Sequence, residues 1–312
     1  YIHGTYRDAL ERLIWNRSRS ADDPVWFDPE RTNPCPEPPY ILGGEGVGTV
    51  VATGSGLMAR RLKGKRVAFA AGPPQGSWAE YTAVDAKRAI PVPPAISDDQ
   101  AAMFFVNPLS AVIMVTEVLR VRPGSWLLQT AAASALGKSV IRMSKQLGFR
   151  TINVVRRAQH VEPLRKLGAD VVIDTSQQNL IDEVARVTGG AGVDYALDCV
   201  GGELAGDVLQ TLTRGGHMCM FGTLSGQPVT LPPRDLMMPV ARLSGFFVPN
   251  WLAEQSPLTL LKVLRRVRRF FLAGVFEQPV DGVYPLDDVT ASLEAASVPG
   301  RQGKILLAPS GE

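Results

Sequence analysis

The apolar residues after about residue 108 alternate between short continuous runs and stripes with helical spacing. Trp126–Gln129 is an apolar run of strand length. The next segment carries a helical stripe that ends at Gly148, a residue type that favours the end of a helix. Further strand-like runs follow at residues 151–155, 171–174, 195–198 and 217–221. Strand and helix in this repeated order predict an α/β fold with a doubly wound parallel sheet.

The first hundred residues have a different pattern. Short β-type runs at residues 48–52 and 66–70 are separated by turns rich in Gly and Pro, which predicts a barrel-like β region. Residues 10–38 are polar and contain many prolines, so we expect an irregular loop or an insertion there.

Near the other end of the chain, Ser256 and Pro257 predict the cap and the first position of a helix. The apolar stripe that we expect it to bury is Leu260, Leu264, Val267 and Phe271. Its opposite face carries four arginines, namely Arg265, Arg266, Arg268 and Arg269. We interpret them as a solvated basic face, and a landing area for a phosphorylated substrate is the alternative.

Composition limits the classes of function. The chain has 312 residues, of which 45% are hydrophobic and 20% charged, as in an ordinary globular protein of two domains. A net charge of +3 gives no reason to expect nucleic acid as a partner. No apolar run is long enough for a membrane-spanning helix. The chain begins without Met, so a leader cannot be judged, and mitochondrial and cytoplasmic locations both stay open.

The strongest chemical signal is the run of small residues from Thr130 to Gly137, between the first strand and the first helix of the α/β region. Small side chains let a backbone approach a pyrophosphate, and the start of the helix attracts the anion. Ala and Ser replace two of the usual glycines, so plain helix–strand packing is the alternative. Arg156 and Arg157 follow the second strand, where an acidic residue would select NAD. Two guanidinium groups favour the 2′-phosphate of NADPH, and two ordinary surface arginines are the alternative.

Several ordered landmarks resemble those of a known family. They are residues 43–48 (GGEGVG), 76–81 (GSWAEY), 107–111 (NPLSA), 129–157, 221–229 (FGTLSGQPV), 243–247 (LSGFF) and Trp251. The first three are similar to the quinone-reductase branch of the medium-chain dehydrogenase/reductase family. The others are similar to its mitochondrial 2-enoyl thioester reductases in particular. The resemblance implies a Rossmann nucleotide domain, residues 111–250, and a GroES-like, partly open β-barrel made of residues 1–110 and 251–312.

The same resemblance argues against zinc. Gly44 takes the position of the His that zinc-dependent members carry, and the Cys-rich lobe of those members is absent from the sequence. The three cysteines are far apart in the sequence. We expect each of the three histidines, His3, His160 and His217, to be a surface residue or a locally hydrogen-bonded one. We therefore expect no metal site.

Tyr6 matches the position of the catalytic Tyr in the enoyl reductases. Hydride delivery to the β-carbon of an enoyl thioester builds negative charge on the carbonyl oxygen. A phenol stays protonated at pH 7, so it can donate a hydrogen bond to that oxygen or a proton to the α-carbon. The alternative is an ordinary aromatic residue in a short matching segment.

The resemblance also implies a set of residues that contact NADPH. Asn107 lies on the nicotinamide or substrate side, and Lys304 adds a cation near the cofactor. The pyrophosphate is lined by Ala133, Ser134, Ala135, Leu136 and Gly137. The nicotinamide half is flanked by Phe221, Gly222, Thr223, Leu224, Phe246, Phe247 and Val248. Asn107 before Pro108 is alternatively a plain helix start, and Phe246, Phe247 and Trp251 are alternatively core residues.

Reduction of 2-enoyl thioesters by NADPH is therefore the expected function, with the thioester on coenzyme A or on acyl-carrier protein. NADPH:quinone or enone reduction is the alternative, and a non-catalytic NADPH-binding protein is a third. We expect a homodimer that acts on a small molecule. The first barrel strands of the family are missing before Tyr1, and the distance from Tyr6 to Gly43 exceeds the family pattern.

Overall fold

The computed structural model of the protein describes residues 39–72, 75–298 and 300–309. Tyr6 and the segment of residues 10–38 lie outside the described residues. The chain divides into two compact units, one built from residues up to Pro108 and from Glu277 on, the other from Leu109–Phe276. The domain bounds expected from the sequence, at residues 110/111 and 250/251, stay a prediction.

The strands in chain order are β1 Glu45–Thr49, β2 Arg66–Ala70, β3 Ala89–Pro91, β4 Trp126–Gln129, β5 Arg150–Val155, β6 Val171–Asp174, β7 Val193–Asp198, β8 Leu212–Met220, β9 Arg242–Gly245, β10 Val280–Pro285 and β11 Lys304–Ala308. The α-helices are α1 Leu57–Arg60, α2 Asp98–Ala101, α3 Val106–Ile113, α4 Ala135–Leu147, α5 Val161–Leu167, α6 Leu180–Thr188, α7 Gly202–Gln210, α8 Pro233–Met237, α9 Val248–Ala253, α10 Pro257–Leu272 and α11 Val289–Ser297. A π-helical turn, Met114–Val118, extends α3, and 3-10 turns cover Ala86–Arg88, Ala158–His160 and Leu286–Asp288.

The second unit contains a parallel sheet of six strands in the order β6-β5-β4-β7-β8-β9. This order confirms the doubly wound sheet. The predicted run 126–129 is β4, and the predicted helix is α4, which ends at Gly148 with a left-handed φ of 76°. Apolar side chains of β4 to β6 pack on α6 and α7 in one cluster, and those of β5 and β6 pack on α4 and α5 in another. Helices thus cover both faces of the sheet.

The first unit contains an antiparallel sheet in which β1 pairs with β2 and β2 with β3. A separate parallel pair joins β10 to β11. The predicted run 66–70 is β2, whereas the strand predicted at residues 48–52 lies earlier, at Glu45–Thr49. The earlier start follows from the pairing, because Glu45 to Thr49 are the residues that lie opposite β2.

Helix α10 begins as expected, with the Ser256 side chain accepting a hydrogen bond from the Thr259 amide. Its buried stripe differs from the prediction, because Val263 and Phe270 are buried while Leu260 and Leu264 are only half-buried. The rings of Phe270 and Phe271 both pack on Phe276, which turns this face of the helix inward.

The basic face of α10 needs a further correction. Arg266 is not a solvated arginine, because its Nη1 lies 2.6 Å from both Oε1 of Glu117 and Oγ1 of Thr116 in the π-helical turn. Arg265, Arg268 and Arg269 are exposed as predicted. Within the described ranges, no helix combines the length and apolar character needed to cross a membrane.

Candidate cofactor site

All six strands of the second unit run parallel, so their carboxyl ends meet along one edge of the sheet. The chain order reverses between β4 and β7, the two central strands. Ligands of doubly wound folds bind at this switch point, beyond the carboxyl ends of the strands. The segments after β4, β5, β7, β8 and β9 are therefore the candidates for a binding site.

The turn after β4 has a fixed backbone. Ala131 adopts a left-handed φ of 47°, a conformation that costs energy in a residue other than Gly. The Ala132 amide donates to the carbonyl oxygen of Val154 at 3.1 Å, which joins the turn to the end of β5. Ser134 caps α4, since its Oγ accepts from the Gly137 amide at 3.1 Å. The turn thus presents the start of a helix of 13 residues at the switch point.

Gly137 explains why small residues are required here. A Cβ atom on Gly137 would lie 2.7 Å from the carbonyl carbon of Ala132 and closer still to its oxygen. Its own carbonyl oxygen accepts a hydrogen bond of 2.9 Å from the Gln129 side-chain amide. The turn and the helix therefore touch backbone to backbone, which is the close packing that the last glycine of a dinucleotide-binding fingerprint allows.

A buried carboxylate joins the ends of β4 and β7. Thr130 Oγ1 donates to Oδ1 of Asp198 at 2.7 Å, and Asp198 also accepts from the amides of Val200 and Gly201. Its hydrogen bonds hold the loop that follows β7. Asp198 is fully buried, so these hydrogen bonds compensate a charge that lies away from water.

The loops after β8 and β9 lie along the same edge. The Phe221 amide donates to the Asp198 carbonyl oxygen, and the Leu224 amide donates to that of Cys199. The Phe246 amide donates to the Met220 carbonyl oxygen at 2.8 Å. The structure therefore brings two predicted segments, Phe221–Leu224 and Phe246–Val248, to the edge that carries the Ala133–Gly137 turn.

The arginine pair follows β5 directly. Arg156 is exposed, and Arg157 is the extended residue that begins the 3-10 turn Ala158–His160. Because Ala132 is hydrogen-bonded to the end of β5, this pair lies beside the turn at the start of α4. The order of turn, strand and arginine pair is the one predicted from the sequence.

Three further residues belong to the first unit. Glu45 is buried, and its Oε2 accepts from the amides of Phe105 and Val106, each at 2.8 Å, at the start of α3. Asn107 is the next residue of that helix, and Lys304 begins β11. Burial raises the pKa of Glu45 to about 7, although the two amide hydrogen bonds and the charge of Lys304 oppose the rise. Oε1 of Glu45 has no hydrogen-bond partner among the described residues.

Sequence reasoning missed the buried polar residues that support this site, above all Gln129, Asn153 and Asp198. A signal exists for each, because each is a polar residue inside or at the end of an apolar strand. Gln129 and Asn153 occupy opposite positions on β4 and β5. Polar residues on neighbouring buried strands indicate a hydrogen-bonded pair.

The two thiols among the described residues, Cys199 and Cys219, are buried. Burial raises the pKa of Cys199 to about 12 and that of Cys219 to about 11, so both stay protonated at neutral pH. His217 is locally hydrogen-bonded, as expected, with its Nε2 2.8 Å from Oγ of Ser244. The part of the chain that the structure describes holds no group of three or more His, Cys, Asp and Glu side chains arranged for a metal ion.

Two family models match the chain. The alcohol dehydrogenase GroES-like domain matches residues 23–94, and the zinc-binding dehydrogenase domain matches residues 135–266. The mitochondrial enoyl-[acyl-carrier-protein] reductase of Xenopus tropicalis is 31% identical over 279 residues, which cover 87% of this chain and 79% of the relative. The chain belongs to the medium-chain dehydrogenase/reductase family.

Solved structures support membership of the quinone-reductase branch. A putative NADPH:quinone reductase from Bacillus thuringiensis has a TM-score of 0.81 and 34% identity, over 86% of this chain and 81% of that one. The quinone oxidoreductase of Escherichia coli, solved in complex with NADPH, has a TM-score of 0.78 and 27% identity, over 89% and 85%. This medium-chain reductase is thus an oxidoreductase with a GroES-like β region and a Rossmann-like sheet.

Proposed function

We propose that this medium-chain reductase uses NADPH to reduce the C2=C3 double bond of 2-enoyl thioesters carried by coenzyme A or acyl-carrier protein. The observation that carries the proposal is the similarity to enoyl-[acyl-carrier-protein] reductases along 87% of the chain. The substrate would place the enzyme in fatty acid metabolism. The names of the relatives favour the mitochondrion over the cytoplasm.

The turn after β4 fits a dinucleotide. The pyrophosphate would be surrounded by Ala133, Ser134, Ala135, Leu136 and Gly137, because their backbone forms the start of α4 and their side chains are small, apart from the buried Leu136. Arg156 and Arg157 would bind the 2′-phosphate beyond β5. NADPH supplies a hydride when bound.

The remaining predicted residues would face the nicotinamide half. Segments 221–224 and 246–248 lie at the carboxyl ends of β8 and β9, and Phe247 is an exposed aromatic residue there. Asn107 and Lys304 belong to the first unit, and their assignment to the cofactor rests on the family resemblance. Asn107 follows Phe105 and Val106, whose amides donate hydrogen bonds to Glu45. These hydrogen bonds fix the start of the helix that contains Asn107.

Tyr6 is the proposed proton donor or hydrogen-bond donor to the substrate. Its phenol would stabilise the charge that develops on the thioester carbonyl oxygen or protonate the α-carbon. Tyr6 lies outside the described residues, so this role rests on the family resemblance.

The test compares NADPH oxidation with crotonyl-CoA and with 1,4-benzoquinone in the parent and in Tyr6→Phe. Loss of a general acid lowers a rate by about 100- to 10,000-fold, so we expect crotonyl-CoA reduction to fall by at least tenfold and quinone reduction to stay nearly unchanged. Tyr81→Phe is the matched control, because it makes the same change at an exposed tyrosine. A Tyr6→Phe enzyme that reduces crotonyl-CoA at the parent rate would eliminate the enoyl proposal.

Quinone or enone reduction is the second candidate. It is favoured by the solved structures, since NADPH:quinone reductases match at TM-scores up to 0.81. It needs the same hydride delivery and no proton donor at the position of Tyr6. A parent enzyme that reduces benzoquinone readily but crotonyl-CoA at no measurable rate would establish this candidate in place of the first.

A homodimer is proposed through the edge strand β9. This strand ends the six-stranded sheet, and Leu243 on it and the nearby Met238 and Val240 are exposed. Antiparallel pairing of two β9 strands about a two-fold axis would cover both edges. Sedimentation velocity of the parent and of Leu243→Arg tests this, because the parent should sediment as a dimer and the variant as a monomer. A monomeric parent would contradict the proposal.

A further inference from the structure

Helix α10 presents one continuous face to solvent. The residues that are exposed after Pro257 recur every three or four positions, a spacing that places side chains on the same side of a helix. The opposite side is buried through Val263, Val267, Phe270 and Phe271. The exposed face of α10 consists of Leu258, Leu261, Lys262, Arg265, Arg268, Arg269 and Leu272.

The positive charges of this face are not neutralised by their own helix. Between Gln255 and Phe276 the chain contains no Asp or Glu. Among the described residues, the ion pair with Glu117 involves Arg266, which is not part of the exposed face. The Arg269 guanidinium lies 5.2 Å from the centroid of the Phe270 ring. The exposed face thus offers one lysine and three arginines to an anionic partner.

Three leucines share the exposed face with these cations. Leu258 is 79%, Leu261 43% and Leu272 54% exposed, and the first and last are about 21 Å apart along the helix. Leucines at both ends match a folded protein better than a phosphorylated small molecule. Arginine is enriched in protein interfaces and lysine is depleted, as on this face. A helix that binds a membrane inserts its apolar side, and that side of α10 is buried in the protein.

Helix α10 also follows closely on a segment proposed to flank the nicotinamide. Val248 ends that segment and begins α9, and only residues 254–256 separate α9 from α10. The six residues of α9 rise about 9 Å and the link adds at most about 14 Å, so Pro257 lies within about 25 Å of Val248. A protein bound to the exposed face can therefore bring a substrate on a flexible arm to this segment.

We propose that the exposed face of α10 binds an acidic acyl-carrier protein, so that the carrier-bound enoyl thioester is preferred over the coenzyme A thioester. This inference rests on the proposed enoyl reduction and decides between its two substrates. Carboxylates of the carrier pair with the four cations, and apolar side chains of the carrier cover the leucines. Because the charges are exposed, the attraction should weaken as the salt concentration rises.

The experiment measures NADPH oxidation with crotonyl-acyl-carrier protein and with crotonyl-CoA, in the parent and in Arg265→Glu/Arg268→Glu. Like charges repel an acidic carrier, so we expect kcat/KM for crotonyl-acyl-carrier protein to fall at least tenfold, through KM. The value for crotonyl-CoA should stay within about twofold of the parent. Leu258→Ser changes no charge and should raise KM for the carrier substrate severalfold, because docking buries this side chain.

Arg60→Glu/Arg61→Glu is the matched control, because it reverses two exposed neighbouring arginines in and after α1. It should leave both kcat/KM values unchanged. Unchanged carrier kinetics in the α10 variant, an equal loss in the control, or equal losses with both thioesters would overturn the inference. Binding to phosphatidylserine vesicles that the α10 variant loses, with carrier kinetics unchanged, would overturn it in favour of a membrane surface. A parent that reduces neither thioester would instead refute the proposed function.

Discussion

The side-chain amide of Gln129 donates a hydrogen bond to Oδ1 of Asn153 on the neighbouring strand, with 2.7 Å between Nε2 and Oδ1. The same Nε2 lies 2.9 Å from the carbonyl oxygen of Gly137. Asn153 in turn donates to Oγ1 of Thr151 and to the carbonyl oxygen of Val171. Gln129 and Asn153 are 1% and 0% exposed, so water cannot replace a missing partner. This buried chain of hydrogen bonds holds the start of α4 against β4 and β5.

Replacement of Gln129 by Leu should weaken both the fold and the cofactor site. It removes the Gln129 donor to the buried Oδ1 of Asn153 and the second hydrogen bond to the Gly137 carbonyl oxygen, which costs about 1–3 kcal/mol for a buried group. Urea unfolding measures that loss, and fluorescence titration with NADPH measures the weaker binding. Gln177→Leu is the control, because Gln177 is exposed. Equal stability of the Gln129 variant and the control would contradict the assigned role.

Gly137→Ala tests the close contact between the turn and the helix. Ala is normally favoured over Gly within a helix by about 1 kcal/mol. Here its Cβ would lie 2.7 Å from the carbonyl carbon of Ala132, so the turn must move away from the helix. We expect NADPH affinity to fall by at least about tenfold, or 1.4 kcal/mol.

The control for this change is Gly54→Ala, since a Cβ on Gly54 meets no atom within 4 Å. It should leave the NADPH dissociation constant unchanged. A Gly137→Ala protein that binds NADPH as tightly as Gly54→Ala would show that the turn does not approach the pyrophosphate.

Arg156→Ala should reduce the preference for NADPH over NADH. Loss of a charged donor to a phosphate costs about 1.5–3 kcal/mol, which is at least about tenfold in affinity. NADH binding should stay within twofold of the parent value. Arg234→Ala is the control, because Arg234 is an exposed arginine of α8 at a distance in sequence from β5. An unchanged preference in Arg156→Ala would contradict the assignment of the 2′-phosphate.

Glu45 should make stability depend on pH. Its folded-state pKa of about 7 lies above the ordinary value of 4.5. Between pH 4.5 and pH 7 the native protein therefore keeps a proton on Glu45 that the unfolded chain has released. The stability due to this group is fully present below about pH 4.5 and is lost as the pH rises towards 7. At 1.36 kcal/mol for each pKa unit, the loss is roughly 3 kcal/mol.

Urea unfolding of the parent and of Glu45→Gln between pH 4.5 and 8 measures this dependence. The difference between the two proteins should change across the interval, with Glu45→Gln gaining stability relative to the parent as the pH rises. Glu80→Gln is the control, because Glu80 is exposed. A constant difference between parent and Glu45→Gln would mean that Glu45 stays ionised throughout the interval.

The sequence predicts the parts of this protein that depend on periodicity and small residues. The bounds of β4, the end of α4 at Gly148 and the cap at Ser256 follow from local patterns and were confirmed. Tertiary pairings were not predicted, because they join residues that are distant in the chain. Asp198 with Thr130 is one example, and Glu45 with the Phe105 amide is another.

The same limit explains the error at Arg266. Its helix is amphipathic, so the sequence pattern predicts that every arginine on the polar side is exposed. Only the fold brings Glu117, which lies 149 residues away in the chain, next to Arg266. The positions of Tyr6, Asn107 and Lys304 relative to a cofactor stay predictions. They depend on contacts between residues that are distant in the chain, which local sequence patterns do not encode.

Arg266 and Glu117 form an ion pair, in which Nη1 and Oε1 are 2.6 Å apart. Their side chains are only 24% and 16% exposed. The glutamate lies in the π-helical turn Met114–Val118, a rare conformation within helices. Arg266→Ala would leave the Glu117 carboxylate half-buried without its cation and should cost about 2 kcal/mol of unfolding free energy. Arg265→Ala on the exposed neighbour should stay within about 0.5 kcal/mol of the parent.

A double-mutant cycle with Glu117→Ala separates the pair from the rest of the structure. If the ion pair supports the turn, the two losses should not add, and the coupling free energy should exceed about 0.5 kcal/mol. Raising the salt concentration should reduce this coupling only slightly, because partly buried charges are weakly screened. Strictly additive losses would show that Arg266 acts through packing of its aliphatic stem, and the π-helical turn would then be held by Thr116, whose Oγ1 donates to the Val112 carbonyl oxygen at 2.8 Å.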